Sequence, residues 1–316
     1  MSGKTRIAIL GIGGVGGYFG GYLAEYYRHS KEVEIIFIVR AATEKIIQEQ
    51  GLKLITTTEE KIIFPGVVTS DPSVIGELDY LLCCIKSYDL EESLGKLKDC
   101  ITSTTVILPL LNGVDAKERI SMIYPNNEIW EGCVYIVTRL IAPGVVKETG
   151  KLHSLYFGSS TAAKDKLLFL EKILKEAGLD AFLSPNIQQT LWEKFLFLSS
   201  LANMTTYMNR PVGKVLEDEE GKNTLIELVN ELKLIADAKH IPLPTDVVES
   251  TITKIEKLPF DATSSMHSDY QKGSKTEYIS LTEYVSKLGD TYNIETPTFD
   301  KILEEFIKRE EERRKN

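Results

Sequence analysis

Two charged side chains stand at positions where helical spacing leads one to expect apolar ones. Lys194 is in phase with Ile187, Leu191, Leu198 and Leu201, in a stretch, Leu191-Trp192-Glu193-Lys194-Phe195-Leu196-Phe197-Leu198, that is otherwise apolar around its circumference except for Glu193. Desolvation lowers the pKa of an ammonium and a nearby carboxylate or bound anion raises it, so a lysine in such a place is a candidate proton donor. A snorkelling lysine, stem packed and head in water, is the competing reading. Glu277 heads a second stripe with Leu281, Tyr284 and Leu288, and a carboxylate there needs a partner. Upstream lies the hydroxyl-rich Ser264-Ser265-Met266-His267-Ser268-Asp269, which by itself is explained by helix capping through Ser268 or Asp269. Of the four histidines only His267 is near a candidate site, and a surface or supporting role is expected for it.

A different chemistry is signalled at the amino terminus. Ile7-Ala8-Ile9-Leu10 reads as a strand running directly into Gly11-Ile12-Gly13-Gly14-Val15-Gly16, with a helix continuing through Tyr18 to Tyr27. In a GxGxxG of this context Gly11 permits the tight turn, Gly13 lets the backbone approach a pyrophosphate, and Gly16 allows close helix-to-strand packing. The helix amino terminus then offers N–H groups and a positive dipole end to phosphates. The second strand ends Phe37-Ile38-Val39-Arg40. Where NAD-using proteins carry an acid for the ribose 2′-hydroxyl, an Arg suits the 2′-phosphate of NADP, although a merely solvated Arg would look the same. Lys86 follows the strand that closes with Cys83-Cys84-Ile85, either as a ribose or phosphate contact or simply as the first hydrophilic residue after a strand. Asn112, in Leu111-Asn112-Gly113, is compatible with an ordinary turn and with an amide placed beside a nicotinamide.

The elements that must position these residues divide the chain in two. At 316 residues about two domains are expected, and 43% apolar with 26% charged residues is a globular composition rather than a disordered or fibrous one. A net charge of −9 argues against general nucleic-acid binding while leaving room for a local basic pocket. No run reaches the ~18 apolar residues of a membrane span, and the opening residues carry no cleavable signal pattern, so a cytoplasmic location is expected. The four cysteines have no CxxC or zinc spacing and are read as reduced, mostly buried thiols, with no metal site. β-branched runs at Arg6–Leu10, Glu34–Val39, Tyr80–Ile85 and Thr105–Leu108 alternate with helical segments, the pattern of a parallel sheet covered by helices. Ile129–Thr138, Val145–Glu148 and Leu152–Phe157 read as separate edge strands divided at Pro143-Gly144 and Gly150, and a helix (163–177) and short strand (181–183) follow. Beyond Ile187 the chain reads as helices at 187–208, 223–239, 276–288 and 298–308, with residues 309–316 as a solvated charged tail. The fold class is therefore α/β, a Rossmann-type dinucleotide-binding domain over residues 1–185 followed by an all-helical domain over 186–316, with the reactive site expected in the crevice between them.

Taken together, the amino-terminal GxGxxG, Arg40, Lys86, Leu111-Asn112-Gly113, Trp192-Glu193-Lys194-Phe195 and Ser264-Ser265-Met266 followed by Thr276-Glu277 resemble the ketopantoate reductase (2-dehydropantoate 2-reductase) family over nearly the whole chain. The resemblance implies an NADPH-dependent oxidoreductase that reduces a branched 2-oxo acid, 2-dehydropantoate to pantoate in pantothenate biosynthesis. It implies that Lys194 gives a proton to the carbonyl oxygen, Glu277 orients the substrate, Asn112 touches cofactor and substrate, and Ser265 meets the substrate carboxylate. Gly11, Gly13, Gly16, Arg40 and Lys86 would hold NADPH. Familiar members carry Asn one turn after the lysine and five residues after the glutamate, where this chain has Leu198 and Thr282. Asn203, nine residues beyond Lys194, is a doubtful substitute because it lies near the opposite side of the helix. Losing polar contacts to a hydroxylated substrate can cost orders of magnitude in selectivity, so another small 2-oxo or 3-hydroxy acid is a second reading, and an NADP(H)-binding sensor without catalysis a third. No nucleic-acid or membrane partner is expected. The sequence leaves the oligomeric state open, a homodimer included.

Overall fold

The computed structural model describes residues 3–315. They group into two units, one made of residues up to Leu111 plus Ala116–Ile187, the other of Asn112–Asp115 plus residues from Gln188 onward.

The strands of the first unit are β1 (Thr5–Leu10), β2 (Val33–Ile38), β3 (Leu52–Ile55), β4 (Glu60–Ile63), β5 (Val67–Thr69), β6 (Tyr80–Cys83), β7 (Val106–Pro109), β8 (Glu131–Ala142), β9 (Val145–Gly158) and β10 (Asp180–Leu183). Its helices are α1 (Gly14–Tyr27), α2 (Ala41–Gln50), α3 (Leu90–Gly95), α4 (Ala116–Ile123) and α5 (Lys164–Glu176). One sheet is wholly parallel in the order β5-β2-β1-β6-β7. Alternation explains why its strands read as continuous apolar runs: Ile7, Ile9, Ile35 and Phe37 pack with Phe19 and Leu23 of α1, while Ala8, Leu10, Ile36 and Ile38 face Leu90, Leu94 and Ile120 of α3 and α4. The chain leaves β1 toward β2 and β5, then returns to build β6 and β7 on the other side. The topological switch point lies between β1 and β6, where open α/β sheets bind ligands.

In the second sheet β9 pairs in parallel with β10 and β3, and antiparallel with β8, while β4 pairs antiparallel with β3. The break expected at Gly150 is absent. β9 is one strand, because β8 pairs along its length and the interruption survives only as a register shift between Ile136↔His153 and Thr138↔Glu148. The sequence does not announce strands β3 to β5; β4, with only Ile63 buried, lacks the apolar alternation that marks a strand.

Among its described residues the second unit carries helices and no strand: α6 (Ile187–Tyr207), α7 (Val212–Glu217), α8 (Glu219–Ala238), α9 (Val247–Glu256), α10 (Ser265–Gln271), α11 (Tyr284–Tyr292) and α12 (Pro297–Lys315). Phe195 and Leu196 of α6, Leu228, Leu232 and Ile235 of α8, and Phe299, Ile302 and Phe306 of α12 share its core. Two expectations are corrected here. The helix anticipated over 276–288 instead begins after Glu277 and passes through a π-helical turn, Ile279–Glu283, before α11. Nor is the stretch from Arg309 a solvated tail: α12 continues to Lys315, and Arg309 donates to the carbonyls of Thr206 and Tyr207 at 3.2 and 2.9 Å. Asn316 lies outside the described residues.

Candidate functional site

The glycine turn occupies the switch point. Gly11 has φ +89°, and a Cβ there would sit 2.5 Å from Ile85 Cγ2, so the position demands glycine for both conformation and space. Gly16 is closed as well, since a Cβ would come 2.0 Å from the Gly11 carbonyl oxygen. Gly13 is the opposite: nothing lies within 4 Å of an added Cβ, and it is the extended N-cap of α1, where no side chain caps the helix. Closed, open, closed is the pattern of a turn whose middle glycine faces a ligand while its neighbours hold helix to strand.

Around this turn, Arg40 starts α2, its carbonyl accepting N–H bonds from Thr43 and Glu44. Its side chain is 86% exposed and pairs with Asp89 at 2.9 Å. Sequence reasoning misses Asp89, because the 49 positions that separate it from Arg40 leave no local signal. Lys86 is the N-cap of the 3-10 turn Ser87–Asp89, just beyond β6. Cys83, Cys84, Cys100 and Cys133 are buried thiols that form no disulfide. Desolvation pushes the Cys84 thiol up to about 12, which keeps it out of nucleophilic chemistry.

In the second unit Lys194 is half-buried on α6, and its Nζ donates to Asn112 Oδ1 at 3.4 Å. The amide expected beside a nicotinamide thus belongs with the lysine. Glu277, 2% exposed, lies one residue before the helix rather than inside it, its carbonyl accepting the N–H bonds of Ser280 and Leu281 at 3.1 Å each. The apparent spacing with Leu281, Tyr284 and Leu288 runs across the π-helical turn, which shifts the phase. That turn is gripped from α6: Ser199 Oγ and Asn203 Nδ2 both donate to the Leu281 carbonyl, at 2.7 and 3.0 Å. Thr282 Oγ1 in turn donates to Asn203 Oδ1 at 2.6 Å, so Asn203 and Thr282 serve each other and the turn.

Ser265 is the exposed first residue of α10. Ser268 and Asp269, expected as caps of the Glu277 helix, lie inside α10, whose own cap is Ser264: Ser264 Oγ accepts the His267 N–H at 3.0 Å and shares a hydrogen bond with Thr205. His267 is not at the surface. It is 2% exposed, with its two ring nitrogens bonded to Thr263 Oγ1 and, at 2.9 Å, to Asn209 Oδ1, and burial holds its pKa below the ordinary value. Asp115 and Ser280, both buried and neither singled out by the sequence, share a hydrogen bond at 2.8 Å. Among the described residues no group of three His, Cys, Asp or Glu is placed to hold a metal, and no helix is long and apolar enough to cross a membrane.

A glycine turn at the switch point of a parallel sheet, followed in the chain by a helical unit with a half-buried lysine, defines the class: a Rossmann-type dinucleotide-binding oxidoreductase with a helical second unit. The family model "Ketopantoate reductase PanE/ApbA" matches residues 7–162, and its C-terminal counterpart matches 186–310. The chain belongs to the ketopantoate reductase family, whose members are NADP-dependent oxidoreductases. It is 24% identical over 298 residues to the uncharacterized oxidoreductase YkpB of Bacillus subtilis (94% of this chain, 96% of that one). It is 27% identical over 318 residues to the 2-dehydropantoate 2-reductase of Lactococcus lactis (97% and 98%). The crystal structure of 2-dehydropantoate 2-reductase from Porphyromonas gingivalis W83 matches with a TM-score of 0.83 at 30% identity, covering 96% of this chain and 99% of that one.

Proposed function

We propose that the chain reduces a branched 2-oxo acid with NADPH, 2-dehydropantoate to pantoate foremost, the first unit binding NADPH and the helical unit supplying the acid and the substrate contacts. The observation that carries this reading is the hydrogen bond from half-buried Lys194 to Asn112. The glycine turn fits the dinucleotide: the open side of Gly13 at the uncapped start of α1 leaves space and backbone donors for a pyrophosphate. When bound, NADPH supplies the hydride. As the carbonyl carbon receives it, negative charge gathers on the oxygen, and Lys194 gives its Nζ proton there, completing the 2-hydroxy acid; the amine regains a proton from water. A cation able to donate stabilises this charge more in the transition state than in the ground state. Asn112 Oδ1 is committed to Lys194, so its Nδ2 is the donor it offers a ligand. Glu277 orients the substrate, Ser265 meets its carboxylate, Arg40 takes the 2′-phosphate and Lys86 the ribose or phosphates.

A second reading, reduction of a 2-oxo acid without the distal hydroxyl, is favoured by Leu198, which has no polar atom, and by Thr282, whose hydroxyl is given to Asn203. NADPH oxidation followed over a panel containing 2-dehydropantoate and its dehydroxylated analogue separates the two. Lys194→Ala should lower kcat by about 10² or more while NADPH binding, read by fluorescence, survives. Turnover within about twofold of the unaltered protein would remove Lys194 as the acid.

A further inference from the structure

We propose that Asp115 and Ser280 are positioning residues that hold Asn112, and through it Lys194, in register with the segment beginning at Glu277. The inference rests on the reading of Lys194 as proton donor. Asn112 and Asp115 bound one four-residue bend, and Glu277 and Ser280 are likewise three residues apart. The Ser280 hydroxyl donates to Asp115 Oδ2 at 2.8 Å, while its backbone N–H bonds the Glu277 carbonyl at 3.1 Å. One residue therefore ties the segment that carries Asn112 to Glu277, two residues before the π-helical turn. Gly113 adds a second constraint on the same contact. Its φ is +95°, and a Cβ there would lie 3.3 Å from Ser280 Cβ and 2.8 Å from Asp115 Oδ1, so the bend is seated directly on Ser280. Val114 packs into the helical core beside them.

Packing alone would not call for these residue types. A carboxylate 3% exposed and a hydroxyl fully buried must recover hydration through directed bonds, and an apolar pair would fill the space without that demand. A directed bond does what apolar contact does not: it fixes direction and register. The π-helical turn belongs to the same device, because its widened backbone, held by Ser199 and Asn203 at the Leu281 carbonyl, sets where Ser280 points.

The test compares Ser280→Ala, Ser280→Cys and Ser280→Thr in the full-length protein, with Lys194→Ala alongside. Misplacement by about 1 Å can cost up to 10²-fold, so Ser280→Ala should lower kcat at least about fivefold with KM changed less than about twofold. Ser280→Cys, which refills the space but donates weakly, should track Ala, and Ser280→Thr, which restores the hydroxyl, should recover most of kcat. Recovery by Cys, or a kcat for Ser280→Ala within about twofold of the unaltered protein, overturns the proposal and leaves a packing role. If instead Lys194→Ala retains full turnover, the functional reading has failed, and the positioning is decided without catalysis. In that case trinitrobenzenesulfonate labelling of Lys194, followed by peptide mass spectrometry, should change rate in Ser280→Ala and Ser280→Cys but not in Ser280→Thr; equal rates in all overturn it.

Discussion

The pairing of Arg40 with Asp89 weighs two electrostatic effects on one guanidinium. An exposed ion pair contributes ~0–1 kcal/mol, whereas charge-assisted bonds to a phosphate contribute about 1.5–3 kcal/mol. On the proposed role of Arg40, a 2′-phosphate would therefore displace Asp89 as the partner of a side chain that is 86% exposed and loses little on turning. Arg40→Ala should weaken NADPH by roughly ten- to a hundredfold and leave NADH nearly unchanged, whereas Asp89→Asn, by removing a competing carboxylate, should tighten NADPH. Fluorescence titration with both dinucleotides checks this, and equal losses for the two in Arg40→Ala would show that the residue does not read the phosphate. Arg40 itself is legible because it follows a recognisable strand end. Asp89 is not, since its relevance arises only when the connection after β6 folds back beside β2. The same asymmetry marks Lys194, conspicuous on an apolar stripe, against Asp115, an unremarkable acid after an Asn-Gly turn.

Among the elements, α10 and the π-helical turn show how a local pattern misleads. Glu277 seems to head a regular helical stripe, but the π-helical turn Ile279–Glu283 widens the backbone there, so a count of 3.6 residues per turn does not carry across it. The hydroxyl-rich stretch before it is a helix of its own, Ser265–Gln271, short enough that no periodicity announces it. His267 buttresses that helix as a neutral ring: with Thr263 Oγ1 and Asn209 Oδ1 on its two nitrogens, one donates and the other accepts. Burial lowers its pKa in the folded state, so the unfolded chain takes up the proton first. The stability it contributes is complete above the ordinary value of 6.5 and is lost as the pH falls below that value and through the folded one. The Tm advantage of the unaltered protein over His267→Gln should therefore shrink between about pH 7.5 and about pH 5. A gap that is constant across this range would mean that the ring does not titrate on unfolding.

For the whole molecule, legibility follows burial and length. Strands β1, β2, β6 and β7 are plain in the sequence because both faces of the parallel sheet are covered and their runs are largely apolar, while β3, β4 and β5, at 4, 4 and 3 residues, are too short for a strand pattern to stand out. The carboxyl terminus is the converse error. Arg309, Arg313 and the three glutamates between them, Glu310, Glu311 and Glu312, look like solvated charge, yet arginine stems and guanidiniums pack as readily as they dissolve. Arg309 reaches two carbonyls at the end of α6, and its guanidinium and that of Arg313 lie 5.6 and 4.4 Å from the Tyr270 ring centroid, which binds α12 to both α6 and α10. Each charged hydrogen bond to a carbonyl contributes about 1.5–3 kcal/mol at most, less for partly exposed groups. Deleting residues 309–316 should therefore lower the Tm by roughly 5 °C, and Arg309→Ala with Arg313→Ala should reproduce most of that loss, whereas Glu311→Ala, an exposed position, should not. A deletion that leaves the thermal transition where it was would return these residues to the solvated role their composition suggests.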